Sequence, residues 1–343
     1  MKKVLTILLV FTMVFSFAAC GSKDAASEGS GDGPTYTLRL SGMSAIESHD
    51  TVALQKAAEL INERTNGDVE ITVYPASQLG DYTQVYEEII RGTLDISCNT
   101  IPGTYDSRVE MCYVPYLVTN YDEYKTVYAD GSFFYKTYSE ILAEQDVTLL
   151  GFIPAGFIGV GATKVNEDTL FDPTATKDGL IRVPALETMK LLVEGVGYKT
   201  TTISYSDLYS ALQTGIADGW YGGGAKLNYD AFRDVIKYFV DYRFLNDIYP
   251  VVMSKATLDK LPADYQKIVI DTFAEVCVGT ADTIETLDAE AITQMEDYGI
   301  TVVKPTDEEI NTFAEYVRTN IWPQLEQFYG ADIMNGLKDD VGM

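Results

Sequence analysis

The sequence has few cysteines and almost no histidine, and this excludes several kinds of functional site. Its 343 residues include one histidine, His49, and four cysteines, none of them in a Cys-x-x-Cys spacing. A zinc site built from histidine and cysteine is therefore not expected, and we predict no metal ion and no cofactor. A single histidine without a nucleophile motif also lacks the parts of a hydrolase site, so we do not predict an enzyme. Paired carboxylates of a glycoside hydrolase remain an alternative, because acidic residues are abundant.

Basic residues are also scarce relative to acidic ones. The chain has 25 Lys and Arg against 51 Asp and Glu, a net charge of -26. This balance argues against binding to nucleic acid or adsorption to anionic lipid, since both require a basic surface. The hydrophobic content of 46%, with 24 Tyr, 14 Phe and 2 Trp, is too high for a disordered acidic chain. We therefore expect a folded body with an acidic surface, on which an anionic ligand needs a local positive site.

The sequence does not show whether the cysteines of the folded part form disulfides. Cys98 lies in an apolar strand pattern and Cys277 on a helix face. We expect both to be buried free thiols, which is common for such residues. A Cys98–Cys112 disulfide is the alternative, because sequence alone does not decide it.

The amino terminus has the pattern of a secretion signal. Two lysines precede the apolar run 4–17, and Ala18, Ala19 and Cys20 follow. The run is too short for a stable membrane span and ends at small residues, as in a signal peptide. Residues 17–20 resemble a bacterial lipobox, with Phe17 where leucine is usual. We predict a lipoprotein signal peptide over residues 1–20 that ends at a lipidated Cys20. The alternative is an ordinary secretory signal in which Cys20 is incidental.

Residues 21–34 are small and polar and are typical of a flexible linker. The folded body is therefore expected to begin near Thr35. It would be extracytoplasmic, either tethered by lipid to the outer face of the cell membrane or within a periplasm.

From Thr35 the chain alternates strand and helix patterns, which predicts a mainly parallel α/β sheet. The first predicted elements are strands at 36–40, 69–74 and 93–98 and helices at 51–64 and 82–91. Further predictions are a largely helical 121–145, an ambiguous 234–242, a long helix over 263–298 that is continuous or broken, and a helical 307–328.

We predict two lobes, as in periplasmic binding proteins, with a ligand cleft between them. Lobe I covers residues 35–155, with about 245–290 returning to it, and lobe II covers 156–244, with about 291–330 packing on it. In open α/β sheets ligands bind at the carboxyl ends of strands. The candidate residues at or just past such ends are Ser44, Asn99, Thr100, Phe157, Arg182 and Tyr221.

Arg182 is the candidate that we weight most. Ile181 and Val183 flank it in a short strand pattern, which places the arginine on the opposite face from them. A guanidinium on a rigid strand fits a carboxylate with two parallel hydrogen bonds. The alternative is a surface arginine paired with a nearby acid.

Several motifs in one order resemble the solute-binding proteins of tripartite ATP-independent periplasmic (TRAP) transporters. These motifs lie at residues 66–80, 92–95, 180–184, 205–219 and 254–266. The resemblance implies two lobes that close over an organic acid, usually a dicarboxylate or a sugar acid, with Arg182 binding its carboxylate. It also implies delivery to separate permease subunits in the membrane, driven by an ion gradient. We expect a monomer.

The sequence departs from that family at two places. Many members carry a second arginine where this chain has Ile158, and many carry Glu-Asn-Pro after Asp218-Gly219. Here an aromatic pair and three glycines, residues 220–224, follow instead. Fewer cations and more aromatic residues favour a monocarboxylate with an apolar or aromatic body as an alternative ligand. Arg243 either compensates for the missing cation or pairs with a neighbouring acid, Asp241 or Asp247.

The remaining candidates come with alternatives of their own. Tyr205 lines the pocket or belongs to the core. Trp220 and Tyr221 alternate on a strand, so one of them faces the cleft, and we prefer Trp220. Gly222 begins either a hinge, a close approach to the ligand, or a simple turn. The rival functions are a binding protein of an ATP-driven importer, which shares the architecture and the tether, and a surface adhesin.

Overall fold

This computed structural model describes residues 33–343, in which eleven strands form two sheets. The first sheet has the order β2-β1-β3-β10-β4. Its strands are β1 (Tyr36–Gly42), β2 (Val69–Tyr74), β3 (Ile96–Cys98), β4 (Val147–Phe157) and β10 (Asn246–Ser254). β1 pairs in parallel with β2 and β3, and β10 runs antiparallel to β3 and β4. The predicted signal peptide and Cys20 lie outside the described residues.

The second sheet is also mixed, and its order is β11-β9-β5-β8-β6-β7. Its strands are β5 (Val160–Ala162), β6 (Leu180–Val183), β7 (Lys199–Thr202), β8 (Gly219–Tyr221), β9 (Tyr238–Val240) and β11 (Thr301–Val303). β6 pairs in parallel with β7 and β8, whereas β5 runs antiparallel to β8 and β9. The prediction of α/β architecture is confirmed, and each sheet holds one strand, β10 or β5, that runs against its neighbours.

Helices connect and cover the strands. They are α1 (His49–Arg64), α2 (Tyr82–Arg91), α3 (Tyr121–Val127), α4 (Phe133–Ala143), α5 (Glu187–Gly195), α6 (Tyr205–Thr214), α7 (Ala225–Phe232), α8 (Lys255–Leu258), α9 (Ala263–Tyr298), α10 (Asp307–Asn320), α11 (Trp322–Tyr329) and α12 (Ala331–Asp340). Within residues 33–343, none of these helices has both the length and the apolar character needed to cross a membrane.

Helix ends follow local side-chain chemistry. Asp81 caps α2 by accepting a hydrogen bond from the Thr83 amide, and Gly92 ends that helix in the left-handed conformation. The helix predicted over 121–145 is interrupted, because Gly131 has φ +83° and the Ser132 side chain caps the start of α4. The ambiguous stretch 234–242 contains only the short strand β9, and no clear sequence pattern predicts β5, β7 or α12.

The long helix α9 is continuous and packs against both sheets. Its first half contributes Val269 and Phe273 to a core with the strands of the first sheet. Its second half contributes Ala291 and Met295 to a core with Trp220 of the second sheet. Burial of apolar surface at both ends of one rigid helix ties the two sheets to a common support.

β4 bends where α9 crosses it. Its pairing with β10 has one extra residue at two places, Leu150 before Gly151 and Ala155 before Gly156, which is the pattern of a β-bulge. Both glycines have positive φ, +151° and +92°. The Asp288 carboxylate of α9 accepts hydrogen bonds from the Tyr121 hydroxyl at 2.6 Å and the Phe157 amide at 3.2 Å. Strand and helix are therefore joined at Gly156 by a buried carboxylate.

The cysteines in the described chain are free. Cys98, Cys112 and Cys277 are all buried thiols, as expected for Cys98 and Cys277, and the alternative Cys98–Cys112 disulfide is wrong. Cys277 packs against β4, since a Cβ atom at Gly151 would lie 2.8 Å from its Sγ. Burial raises the pKa of the Cys277 thiol to about 12, so the group remains protonated at neutral pH.

We predict that Gly156→Ala destabilises the protein by about 3 kcal/mol, because strain and overpacking add. The added Cβ atom would lie 2.5 Å from both oxygens of Asp288, and φ is +92°. Gly215→Ala is the matched control, since φ there is +74° and the space is open. It should cost about 1–2 kcal/mol for the conformation alone. Denaturant unfolding measures both, and equal losses would show that the contact with Asp288 carries no cost.

Candidate ligand site

Arg182 lies inside the second sheet, on β6. It is aligned with Thr201 of β7 and Trp220 of β8 and is only 2% exposed. Its Nε donates a hydrogen bond to the Ile203 carbonyl at 2.8 Å. Among the described residues no carboxylate forms an ion pair with it. Burial lowers its pKa to about 10, so it is still charged at neutral pH. The alternative of a surface arginine paired with an acid does not match this environment.

Tyr82 and Gly222 lie in the neighbourhood of β6 and Arg182. Burial raises the pKa of Tyr82, at the start of α2, while Arg182 opposes that rise. The Tyr82 hydroxyl accepts a hydrogen bond from the Ala185 amide at 3.3 Å, just beyond β6. A Cβ atom at Gly222 would lie 3.6 Å from Arg182 Nη1, and φ there is +136°. Glycine thus allows the backbone to come close to the cation.

Tyr205, at the start of α6, links Arg182 electrostatically to two buried acids. Burial raises the pKa of Tyr205 to about 12, Arg182 opposes the rise, and Asp50 and Asp247 add to it. The ring of Tyr205 also makes an edge contact with Phe232 at 6.2 Å. The charge of Arg182 thus acts on Tyr205, which contributes to the core as well.

Asp50 and Asp247 are buried carboxyl groups, the first on α1, which packs on the first sheet, and the second on β10 of that sheet. Asp50 is in the first turn of α1 and 1% exposed, and its Oδ2 makes no hydrogen bond. Burial raises its pKa, and the charge of His49 and a bond from Ser44 oppose the rise. Asp247, on β10, is 3% exposed. Burial raises its pKa to about 8, opposed by the neighbouring Tyr249 hydroxyl.

A small cavity lies beside Asp50. Its volume is about 20 Å³, and its lining includes Ser44, Asp50 and Tyr249 on one side and Lys226 and Asp230 of α7 on the other. Lys226 is paired with Asp230 at 2.7 Å. The cavity is large enough for about one water molecule. Parts of the chain associated with different sheets therefore meet around Asp50.

Trp220 and Tyr221 of β8 lie on opposite faces of the second sheet, as their alternation predicts. Trp220 shares the face of Arg182 and donates from its Nε1 to Asn228 Oδ1 at 2.9 Å. Tyr221 packs against Phe244, and its buried hydroxyl makes no hydrogen bond. The register thus brings Trp220 beside Arg182, while Tyr221 belongs to the core on the other face.

Arg243 and Phe157 form a group of their own. The Arg243 side chain is 42% exposed, pairs with Asp241 at 3.4 Å, and lies 5.8 Å over the Phe157 ring. Phe157 also packs edge-on against Tyr121 at 5.0 Å. None of the contacts of Arg182 involves Arg243 among the described residues. Arg243 was expected either to replace a missing ligand-binding cation or to pair with a neighbouring acid. The structure shows the pairing, with Asp241.

Two other predicted residues follow β3. Asn99 is 3% exposed, and the Thr100 hydroxyl lies 4.0 Å from the sulfur of Met43. In the described part of the chain, neither side chain forms a hydrogen bond with Arg182. Within residues 33–343, His, Cys, Asp and Glu side chains do not form a group of three or more that could hold a metal ion.

Local sequence pattern does not distinguish Tyr82, Asp50 or Asp247 as candidates for the site. Tyr82 follows an N-cap residue, and Asp50 looks like an ordinary acid of a first helical turn. In the sequence, Asp247 is a candidate partner of Arg243 alone. The one signal is its place directly before the apolar run 248–253 of β10, because buried charges are rarely found without a function.

We predict that stability falls as the pH rises from about 4 to 8, and that Asp247→Asn reduces this fall. The pKa of Asp247 is raised in the folded protein from 3.8 to about 8, so the folded state holds a proton that the unfolded chain releases over that range. The contribution of Asp247 to stability is complete below its pKa in the unfolded chain and is lost as the pH rises through its pKa in the folded protein. Over that range the free energy of unfolding falls by up to about 1.4 kcal/mol per pH unit.

Denaturant unfolding at several pH values measures this effect. Asp106→Asn is the control, because that carboxylate pairs with Arg108 at 2.5 Å. Asp106→Asn should leave the decrease of stability with rising pH unchanged. An Asp247→Asn variant with the same pH slope as the unaltered protein would contradict a buried, protonated Asp247.

Comparison with known proteins agrees with this architecture. The family described as DctP, bacterial extracellular solute-binding protein, family 7, matches residues 43–327. The sialic acid-binding periplasmic protein SiaP of Vibrio cholerae is 23% identical over 337 residues, which cover 97% of this chain and 98% of SiaP.

Solved structures share the fold. A TRAP periplasmic solute-binding protein from Desulfovibrio salexigens with bound orotic acid has a TM-score of 0.81 at 22% identity, covering 89% of this chain and 98% of that one. Another from Sulfurospirillum deleyianum with bound succinate has a TM-score of 0.78 at 19% identity, covering 89% and 99%. Since the family match extends over most of the chain, this protein belongs to the bacterial extracellular solute-binding protein family 7, a family of transport receptors and not of enzymes.

Proposed function

We propose that this protein captures a small organic acid outside the cytoplasm and delivers it to the membrane permease subunits of a TRAP transporter. The observation that carries the proposal is Arg182, a cation that is 2% exposed and has no ion-pair partner among the described residues. Family membership supports the receptor function, and the relatives described above are known with sialic acid, orotic acid and succinate, all of them organic acids.

The chemistry of the guanidinium supports a carboxylate ligand. One N–H of Arg182 is used by the Ile203 carbonyl, which leaves the planar edge with Nη1 and Nη2 for two parallel bonds to a carboxylate. A buried charge without a partner is costly, so binding of an anion relieves that cost. Closure of the site excludes water and strengthens the pair further.

We also propose that the two sheets mark two lobes that close over the ligand. The boundaries are those expected from the sequence, 35–155 with 245–290 and 156–244 with 291–330. Support comes from the strand composition of each sheet and from the close approach of Gly224 to β4, where a Cβ atom would lie 2.7 Å from the Ala155 carbonyl oxygen. Ser44, Asn99, Thr100, Tyr205 and Gly222 are proposed to line the cleft with Arg182.

Four other candidate residues of the cleft are already in contact with protein groups. Phe157, Trp220, Tyr221 and Arg243 have protein partners of their own, and we propose for them a role in shaping the walls. An aromatic or apolar monocarboxylate remains an alternative ligand. A receptor for an ATP-driven importer remains the alternative transport system, and the match to TRAP receptor structures favours the TRAP assignment.

Arg182→Ala is expected to weaken binding of the cognate organic acid by about 100-fold or more, because removing one partner of a buried pair costs about 3–5 kcal/mol. Thermal unfolding of the purified protein against a panel of organic acids identifies the ligand, since binding to the folded state raises the melting temperature. Titration calorimetry then gives the affinity of each variant.

Arg64→Ala is the matched control for that experiment. Arg64 pairs with Glu275 at 2.8 Å and hydrogen-bonds to Thr272, both on α9, so its removal should leave affinity unchanged. An acid that binds Arg182→Ala as tightly as the unaltered protein would show that the anchor is another residue. Thermal shifts with neutral sugars or peptides, and with no acid, would overturn the organic-acid function.

We further propose that the protein is a lipoprotein anchored through Cys20. Its support is the run of apolar residues before Ala18-Ala19-Cys20 and the polar segment 21–34 after it. Lipid on one cysteine, followed by the polar segment 21–34, would keep the receptor near the permease at a high effective concentration.

Cys20→Ser is expected to release the protein from the membrane fraction of expressing cells, because the acceptor of the lipid is lost. Detergent phase partitioning and the mass of the mature amino-terminal peptide measure this change. Ser22→Ala is the control and should remain in the membrane fraction. An unaltered protein that is already free of acyl groups would show that Cys20 belongs to an ordinary signal sequence.

A further inference from the structure

A large cavity lies at the edge of the first sheet, beside β4. Its volume is about 540 Å³, and its lining comes from α3, the start of α4, residues 150–152 of β4 and residues 270–281 of α9. Within residues 33–343, its lining includes neither Arg182 nor any residue of the cavity beside Asp50. Pockets for small molecules have volumes of about 300–1,000 Å³. This cavity is therefore large enough for a ligand and separate from the candidate ligand site.

Aromatic rings form one wall of the cavity. Four of its lining residues are Tyr124, Tyr128, Tyr135 and Phe152. The ring centroids of Tyr124 and Tyr128 are 4.9 Å apart, and the Phe152 ring lies 6.2 Å from Tyr128 and 5.7 Å, edge-on, from Tyr135. Because each ring packs against another, their positions are fixed before any ligand arrives. The wall thus offers a preformed aromatic surface.

Helix α9 supplies a second wall, made mostly of small side chains. Its lining positions 270, 274, 277, 278 and 281 recur at intervals of three and four residues, which places them on one face of the helix. Ala274, Cys277 and Ala281 are three of these five. Protein interiors are normally filled to high density. Small side chains on one wall and braced rings on the other keep this space open.

Polar groups without partners also line the cavity. Tyr124 and Tyr128 are 4% and 6% exposed, and their hydroxyls form no hydrogen bond with any described residue. Protein does not fully enclose these two oxygens, so a small molecule in the cavity can reach them. β4 is the edge strand, and Leu150 is the extra residue of a bulge, so backbone groups there lack a strand partner. A few such groups in an apolar pocket orient a ligand.

Charged side chains lie only at the exposed parts of this lining. They are Lys125, Asp130 and Asp271, all exposed and of both signs. Asp271 pairs with Lys267 at 2.6 Å. In the described chain the buried part of the lining has no charged group. A charged ligand would therefore lose its water without gaining a buried counter-charge, which is unfavourable.

We propose that this cavity is a second binding site, for an uncharged aromatic molecule of about two or three rings that carries a hydroxyl or carbonyl group. A cavity of about 150 Å³ holds benzene, so the larger volume here has room for such a molecule. Its rings pack on the aromatic wall, and its polar group bonds to the hydroxyl of Tyr124 or Tyr128. This ligand differs in class from the carboxylate proposed for Arg182, and the two sites bind independently.

Naphthalene derivatives of matched shape test the class of ligand. β-Naphthol and β-naphthamide are uncharged at neutral pH, β-naphthoate is an anion, and β-naphthylmethylamine is a cation. Titration calorimetry of the purified full-length protein should show the uncharged pair binding at least about tenfold more tightly than either ion. Arg182→Ala should leave the affinity for the uncharged pair unchanged, because that residue does not line the cavity.

Ala274→Leu is expected to weaken binding of the uncharged pair about tenfold or more, because the larger side chain occupies the space of the ligand. Leucine is a good helix former, so α9 should persist. Ala289→Leu is the matched control, since Ala289 is exposed on the same helix and lies outside this lining. It should bind as the unaltered protein does.

The hydroxyls are tested by a double variant, Tyr124→Phe with Tyr128→Phe. It should reduce the preference for β-naphthol over naphthalene about fivefold, the effect of one hydrogen bond, while naphthalene itself binds as before. Tyr138→Phe is the control, because Tyr138 packs 5.4 Å from Phe152 but is not a lining residue of the cavity. An unchanged preference in the double variant would contradict the assigned hydroxyls.

The outcomes separate this inference from the proposed function. Tighter binding of the uncharged pair that survives Arg182→Ala and falls in Ala274→Leu supports it. Binding of β-naphthoate alone, lost in Arg182→Ala, overturns the second site and leaves the organic-acid receptor. Absence of binding by every naphthalene derivative, or equal affinity in Ala274→Leu, also overturns the second site. A failure of every organic acid to bind would overturn the proposed function without affecting this result.

Discussion

The site depends on a guanidinium that the fold keeps charged and out of water. Desolvation of Arg182 is unfavourable, and the single hydrogen bond to the Ile203 carbonyl offsets only a part of it. The arginine is held because β6 lies between β7 and β8 and because Ile181 and Val183 anchor the strand in an apolar core. The stability of the sheet thus offsets the unfavourable desolvation of the Arg182 guanidinium. Such local costs are common at functional sites.

A second constraint sets where the two sheets meet. β4 belongs to the first sheet, and its end at Phe157 is followed at once by β5 of the second sheet. At that point Gly156 leaves room for Asp288 of α9, whose carboxylate accepts from the Phe157 amide. Burial raises the pKa of Asp288 to about 6, while its bonds to Tyr121 and Phe157 oppose the rise. Helix α9 therefore fixes the passage of the chain from β4 to β5 through a polar contact as well as through apolar packing.

The sequence predicted what depends on local pattern. Strand alternation placed Arg182 opposite to Ile181, and the long helix 263–298 was correct to the residue. The buried acids were missed because burial depends on contacts between distant segments. Asp50 becomes enclosed only when α1 meets α7, and Asp247 only when β10 enters the sheet beside β4. Local pattern also suggested Arg243 as a second cation, whereas the folded chain supplies Asp241 as its neighbour.

Net charge and the buried cation act on an anionic ligand in opposite directions. The protein carries a charge of -26, and this field disfavours the approach of a dianion more than that of a monoanion. Screening limits the effect to about 8 Å at physiological ionic strength, so it acts mainly at the entrance of the site. Inside the fold, Arg182 is a buried positive charge without an ion pair among the described residues, so its attraction for an anion acts where water is excluded. A ligand carboxylate is therefore attracted strongly only when it comes close to the guanidinium.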